Sequence, residues 1–307
     1  MIKPTNFWLG VVLMVICHLL RSTDVFFRVG VVKEVPVTIL IMWEHLFNTA
    51  ALAPLLLKNW RVYTRISARD LLLFLLVGWG ASALGILCFT QAFHYINPAL
   101  VILLQKLQPL VTISLGVALL GERFKPVFFV WAGTAVVSSY FVSFSLTNPF
   151  SGEWSKVGIG TCFALGAVFF WGSGTVWGKF LLRSYDQIFI LANRFLLGSF
   201  FTVLLAWSVN SDFWAGAILA PNGPLFWKIL YMALVPGLLA TGLFYFGLSN
   251  VEASIASILE LIFPLSSVLI MWKFFGQTLD RVQIGAAFIL FYSMSRITSP
   301  SMKQNSR

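Results

Sequence analysis

Charge is what this sequence has least of. Of its 307 residues, 10% are Asp, Glu, Lys or Arg and 59% are hydrophobic. Soluble domains carry about 25% charged residues. With a mean hydropathy of +0.87, the chain lacks the polar groups to cover a water-facing surface. Cysteine is nearly as scarce. Cys17, Cys88 and Cys162 lie far apart, each inside an apolar run, with no CxxC spacing. That excludes a disulfide or metal framework and makes core packing the reading for all three. Catalytic signatures are missing too. There is no GxxxxGK[ST], so nothing points to ATP-driven pumping, and no HExxH, GxSxG or Cys/His metal spacing. No enzyme chemistry and no cofactor are expected. Any transport would draw on a substrate or ion gradient.

What is there is apolar length. About ten runs suit a helix crossing a hydrocarbon core of roughly 30 Å: 6–29, 36–57, 69–94, 98–120, 126–145, 157–180, 187–209, 226–249, 253–275 and 280–297. The fold class expected is an all-α integral membrane protein of ten transmembrane helices. The longest gaps, 58–68, 146–156 and 210–225, hold Arg, Asn, Pro, Gly and Ser, which suits surface turns. They leave no room for a soluble domain. The first run does not read as a signal peptide, because His18, Arg21 and Asp24 stand where a small-residue cleavage site would be.

The net charge of +10 is dispersed over short loops rather than gathered in a patch, so no nucleic acid is expected. One set of alternating loops and tails holds twelve Lys and Arg, the other six, and three lie within runs. The positive-inside rule places the twelve-charge side in the cytoplasm. With an even number of spans, both termini lie there, and the location expected is the cytoplasmic membrane.

The chain is also written twice. INPALVILLQKLQPLVTISLGVALLGERFKPVFF (96–129) aligns without a gap on VEASIASILELIFPLSSVLIMWKFFGQTLDRVQI (251–284). Pro109 then falls on Pro264, Gly121 on Gly276, Gln105 on Glu260 and Glu122 on Gln277. The repeats expected are 1–150 and 151–307. A unit of five spans is odd, so its second copy enters the membrane from the opposite side. Inverted repeats are the usual build of secondary transporters, whose substrate site lies near mid-depth between the halves.

The five-plus-five layout, with QPLVTISLGVALLGERF in one half and FPLSSVLIMWKFFGQTL in the other, resembles the drug/metabolite transporter superfamily of EamA type. The resemblance implies a ten-helix secondary transporter, an exporter at the family level. Two positions depart from the pattern. Gln277 replaces the second closing Glu, and Glu44 stands where the family often has an Arg, while Arg194 keeps one in the second half.

Candidate site residues follow from cost. A proline cannot bond the carbonyl four residues earlier. Pro109 thus frees the carbonyl of Gln105 and Pro264 that of Glu260, and interrupted helices at matching places point to a transporter site. Pro98 and Pro126 open spans, where proline is ordinary. Glu44, Lys106, Arg194 and Glu260 are ionisable groups deep in spans, each costing about 2.5–3.5 kcal/mol at a helix centre. Their depths, on the order of 12 Å from one face or the other, suggest two charge pairs, Glu44–Lys106 and Arg194–Glu260, acting as gates or holding a zwitterion. A buried carboxylate of this kind is also a site for proton coupling. Gln105 and Gln108 share a face. Asn193 adjoins Arg194, and His45 accompanies Glu44, where a hydrogen-bonded core histidine is the plainer account. Trp43, Trp171, Trp177 and Tyr245 are candidates to stack an aromatic or cationic substrate. Arg21, Asp24 and Arg28 share one face of the first span and read as a structural ion ladder near the outer surface. Glu122 reads as a cap or loop partner.

The function expected is a secondary transporter of a small polar or amphipathic metabolite such as an amino acid. The alternatives are a membrane-embedded lipid-modifying enzyme and a bundle that binds without translocating. The partners expected are the lipid bilayer and a small-molecule substrate. A monomer and a homodimer both fit.

Overall fold

The computed structural model describes residues 4–58, 60–96, 98–146, 154–209, 223–263, 265–266, 280–299 and 302. Pro264, Gln277 and much of the ninth apolar run lie outside the described residues. The described chain is helical in every run the hydropathy marks. The first run holds α1 (Pro4–Ser22) and α2 (Asp24–Val31), jointed at Thr23, and α3 (Val37–Lys58) is the second. After the single turn α4 (Trp60–Tyr63), the third run is α5 (Ala68–Leu75), a π-helical stretch (Leu76–Leu84) and α6 (Gly85–Tyr95). The fourth breaks into α7 (Pro98–Gln105), α8 (Gln108–Leu115) and a π-helical turn (Gly116–Leu120); α9 (Pro126–Phe144) is the fifth.

The second half opens with α10 (Trp154–Leu181) and α11 (Gln187–Val209). Next come α12 (Pro224–Met232), a π-helical stretch (Ala233–Leu239), α13 (Ala240–Asn250), α14 (Ala253–Leu259) and α15 (Arg281–Ile297). Among the described residues, six continuous helical runs are long and apolar enough to cross a membrane: Asn6–Val31, Val37–Lys58, Ala68–Tyr95, Gly158–Leu181, Gln187–Val209 and Pro224–Asn250. Gln108–Leu120 and Pro126–Val142 are shorter apolar helices.

Local chemistry explains the boundaries. Asp280 and Gln283 form a capping box that starts α15. Pro126 opens α9 at a position where its missing N–H costs nothing. Gly121, at φ +71°, ends the fourth run in the left-handed region that glycine enters without strain.

The packing is that of a body solvated by hydrocarbon. Large apolar side chains point outward, Val130 and Val137 on α9 and Phe288 and Phe291 on α15 among them, while His18, Arg28, Glu44 and Lys106 are buried. In water such an outer surface would aggregate. Cys17 is buried as expected, but Cys162 is exposed, because its place on α10 faces outward.

Helix partners repeat between the halves. α1 packs on α13 and α10 on α6; α3 packs on α11, α9 on α15 and α8 on α14. For the first four of these pairs, exchanging each helix for its counterpart in the other half returns the same set. Two glycines show why. A Cβ on Gly10 would come within 2.8 Å of Asn250 and 2.9 Å of Val251, and one on Gly160 within 2.9 Å of Tyr95 and 2.7 Å of Ile96. Small residues let membrane helices approach closely, and here they do so at equivalent crossings.

Glu122 ties the first half to the second. Its carboxylate accepts the backbone N–H of Ala253 at 2.6 Å, the N–H of Ser254 at 3.1 Å and the Ser254 hydroxyl at 2.5 Å. It therefore caps α14 from another element, satisfying N–H groups that a helix start leaves open. Lys179 binds the carbonyls of Leu248 and Val251 across the same turn, each at 2.6 Å. Burial holds the Glu122 carboxyl above the ordinary carboxylate range, against the pull of these hydrogen bonds. A carboxyl raised in the folded state contributes most when protonated. Its contribution is complete below the ordinary Glu pKa of about 4.3 and declines as pH rises through the raised value. Glu122→Ala is expected to lower stability by about 1–2 kcal/mol. Glu122→Gln, which keeps an acceptor oxygen, is expected to stay near wild type and to flatten that decline. Thermal midpoints measured across pH check both.

Candidate functional site

The halves enclose a cavity of about 210 Å³, lined from α1, α2, α3, the two long π-helical stretches, α6, α7, α8, α10, α11, α13 and the end of α14. The broken helices build it. α7 ends at Gln105, and α8 begins at Gln108 with Pro109 in its first turn. In the second half α14 ends at Leu259, and Glu260 and Leu261 form a turn at the aligned place. Regular i−4 bonding lapses at both breaks, where Leu107 N–H bonds the Leu104 carbonyl and Leu261 N–H that of Ile258, each three residues back at 3.0 Å.

Between α2 and α3, Arg28 is the hub of a buried ion triad. Its Nε lies 2.5 Å from Asp24 Oδ2 and its Nη2 2.6 Å from Glu44 Oε1. Nη2 also donates to Asp24 Oδ1 at 2.9 Å, and Nη1 to the Thr90 hydroxyl at 3.2 Å. This corrects the expected pairing of Glu44 with Lys106. Arg28, one helix earlier, reaches Glu44 with a fork that matches two carboxylates at once, a geometry that an ammonium does not offer. The Lys106 ammonium donates instead to the Ser139 carbonyl. Of the expected ladder of Arg21, Asp24 and Arg28, the Asp24–Arg28 pair is made while Arg21 stands apart from it, and all three line the cavity.

The other expected pair is not made either. Arg194 donates to the Ala81 carbonyl at 3.1 Å and to the Tyr245 hydroxyl at 3.3 Å. Glu260 accepts from the Gln108 amide, and its charged neighbour is Arg21. Ala81 lies in the first π-helical stretch, where the wider turn leaves carbonyls available to side chains, so the guanidinium finds a partner without the carboxylate.

Of the remaining candidates, His45, Gln105, Gln108, Pro109 and Trp171 line the cavity. His45 accepts no strain for its position. Its Nδ1 lies 2.8 Å from the Ile41 carbonyl and must donate, which leaves Nε2 to accept from the Ser82 hydroxyl at 3.0 Å. Gln105 donates to the Ala164 carbonyl at 3.0 Å, while its Oε1 is buried with no hydrogen-bond partner. Trp171 packs against Phe89 at 5.1 Å between ring centres, with the ring planes tilted by 48°. Four candidates are placed elsewhere. Asn193 bonds its own helix at the Phe189 carbonyl, Trp43 packs at a tilt on Phe47, Trp177 stacks on Phe180, and Tyr245 is buried behind Arg194.

Asn48, which accompanies Glu44 as His45 does, also lines the cavity, and sequence reasoning missed His18, Thr241 and Phe244, which line it too. Among the described residues His18 Nε2, Asn48 Oδ1 and Arg194 Nε are buried without hydrogen-bond partners, a costly condition that a ligand or water relieves. It missed the π-helical stretches as well. Their signal was present as glycine and proline clusters at matching places, Gly78–Gly80 in one half and Pro236–Gly237 in the other.

Buried charge and unsatisfied polar groups around a cavity, inside a bundle with an apolar exterior, define a multi-pass membrane transporter. The chain belongs to the EamA-like transporter family, whose model matches residues 8–144 and again residues 158–298. It is similar to the riboflavin transporter ImpX of Fusobacterium nucleatum subsp. nucleatum, with 32% identity over 239 residues, 76% of this chain and 78% of that protein. A solved crystal structure shares the fold at TM-score 0.75, covering 95% of this chain and 96% of that one at 15% identity.

Proposed function

We propose that the protein is a secondary transporter that moves a small, flat, hydrogen-bonding aromatic metabolite of the riboflavin kind by alternating access. Ten crossing helices form two inverted five-helix repeats, 1–150 and 151–307, and the cavity between them is the substrate site. The observation that carries the reading is that cavity: both halves line it, and it holds an aromatic wall at Trp171 and Phe89 beside buried polar atoms without partners. The ImpX relative favours a flat ring system over the amino acid expected from the sequence. The four helix pairs that close under exchange of the halves support the two-fold relation, and inversion follows from the odd span count.

In this reading Gln105, Gln108, Lys106, Arg194 and Glu260 contact the substrate or gate its path, and Trp171 stacks on its ring. The Glu44–Arg28–Asp24 triad holds the first half together. The breaks at Pro109 and at Glu260–Leu261 leave the cavity-lining helices jointed. Glu260 is the carboxylate placed to couple flux to protons. The protein lies in the cytoplasmic membrane with both termini inside, as the Lys and Arg bias indicates.

Purified protein in liposomes tests this, with labelled riboflavin and labelled amino acids, with and without a pH gradient. Riboflavin uptake is expected to be accelerated by unlabelled riboflavin on the far side, and Trp171→Ala to weaken it at least tenfold. Glu260→Gln is expected to abolish any response to the pH gradient. Flux of amino acids without flux of riboflavin would return the substrate to the first expectation, and binding without flux would remove the transporter reading.

A further inference from the structure

Two arginines share the cavity-facing side of the first run, and the structure uses them differently. Arg28 is saturated by Asp24, Glu44 and Thr90. Arg21 is half-buried and makes one long contact, 3.5 Å to the Thr241 hydroxyl, with its guanidinium 5.1 Å from the centre of the Phe244 ring. Glu260, its acidic neighbour, is engaged by Gln108.

The charge around the cavity does not cancel. Among the described residues, four cations line it (Arg21, Arg28, Lys106 and Arg194) against three carboxylates (Asp24, Glu44 and Glu260). A proton passed from Lys106 to Glu260 leaves the excess unchanged, protonating any carboxylate from solution increases it, and only loss of the Lys106 proton to solution removes it. An uncompensated positive charge in a medium of low dielectric is expensive. Across a membrane, moving it costs more again.

We propose that the cavity takes its substrate as an anion, with the Arg21 guanidinium receiving the anionic group. A carboxylate or phosphate suits a guanidinium because two N–H groups meet two oxygens in one plane. The Phe244 ring supports that plane from below, so the fork is held ready. Substrate charge then balances the cavity, and the empty carrier is the form left with the excess. The proposal rests on the reading of this cavity as the translocation site, and it narrows the substrate to an organic anion with a flat ring.

The experiment uses ligand pairs that differ in charge: riboflavin with riboflavin 5′-phosphate, and benzamide with benzoate. Binding to the full protein in nanodiscs is followed by tryptophan quenching, in chloride and in gluconate buffer. The expected result is that the anionic member binds at least tenfold tighter. Arg21→Gln should erase that preference, and Arg21→Lys should keep part of it. The proposal is overturned if the neutral member binds equally well, if the preference survives Arg21→Gln in a folded, monodisperse protein, or if no member of either pair binds. It is also overturned if the preference exists in gluconate and vanishes in chloride, since an inorganic anion would then fill the place. Discrimination of benzoate from benzamide with no binding of either flavin would keep this inference and remove the riboflavin class. Equal binding of the two flavins would do the reverse.

Discussion

Arg28→Met is expected to destabilise the protein by about 3–5 kcal/mol, the cost of leaving buried carboxylates without their cation. Arg28 is 3% exposed and Glu44 6%, so the attraction between them is only weakly screened by solvent. The triple variant Asp24→Asn, Arg28→Met, Glu44→Gln removes the same attractions and leaves no buried charge behind. It is expected to recover most of the loss. Thermal midpoints of the detergent-solubilised protein, read by fluorescence-detected size exclusion, make the comparison. If the triple variant is no more stable than the single one, Asp24, Arg28 and Glu44 do not act as one unit.

The second large effect is steric. Gly174 of α10 lies against Ala81 in the first π-helical stretch, and a Cβ at Gly174 would overlap the Ala81 Cβ. Neither atom is the end of a flexible side chain, so the helices themselves must separate. Gly174→Ala is expected to cost about 1–3 kcal/mol, the usual penalty for overpacking, and Gly174→Val more. Transport is expected to fall in the same order, because Ala81 and the Arg194 it binds line the cavity. Gly133→Ala is the control. Nothing lies within 4 Å of its Cβ position, and helix propensity alone predicts a change of up to about 1 kcal/mol toward greater stability. Equal behaviour of the two variants would mean that the close crossing at Gly174 is not needed.

Pro109 and the ionisable candidates show how far a linear reading reaches. The proline signalled a helix break because its missing N–H is a local fact, and the break occurs between Gln105 and Gln108. Glu44, Lys106, Arg194 and Glu260 were marked by the cost of placing charge in hydrocarbon, and all four line the cavity. Their partners were assigned from depth alone, and depth does not include azimuth. The joint at Thr23 carries Arg28 to Glu44, and a carbonyl of the π-helical stretch takes Arg194. Trp43 and Trp177 were equally attractive by composition, yet each packs on a phenylalanine away from the cavity.

The sequence by itself determined that the chain is a helical membrane protein written twice, because hydropathy, proline and glycine act over a turn or two of the same helix. It also determined which residues are expensive. Only the tertiary structure decided which charge meets which, that Glu122 caps a helix of the other half, and that Arg21 stands in the cavity with one weak hydrogen bond. Those outcomes depend on how each helix is rotated about its axis and where the breaks displace it. Such angles come from glycine-sized contacts between residues far apart in the chain, for which no local pattern exists.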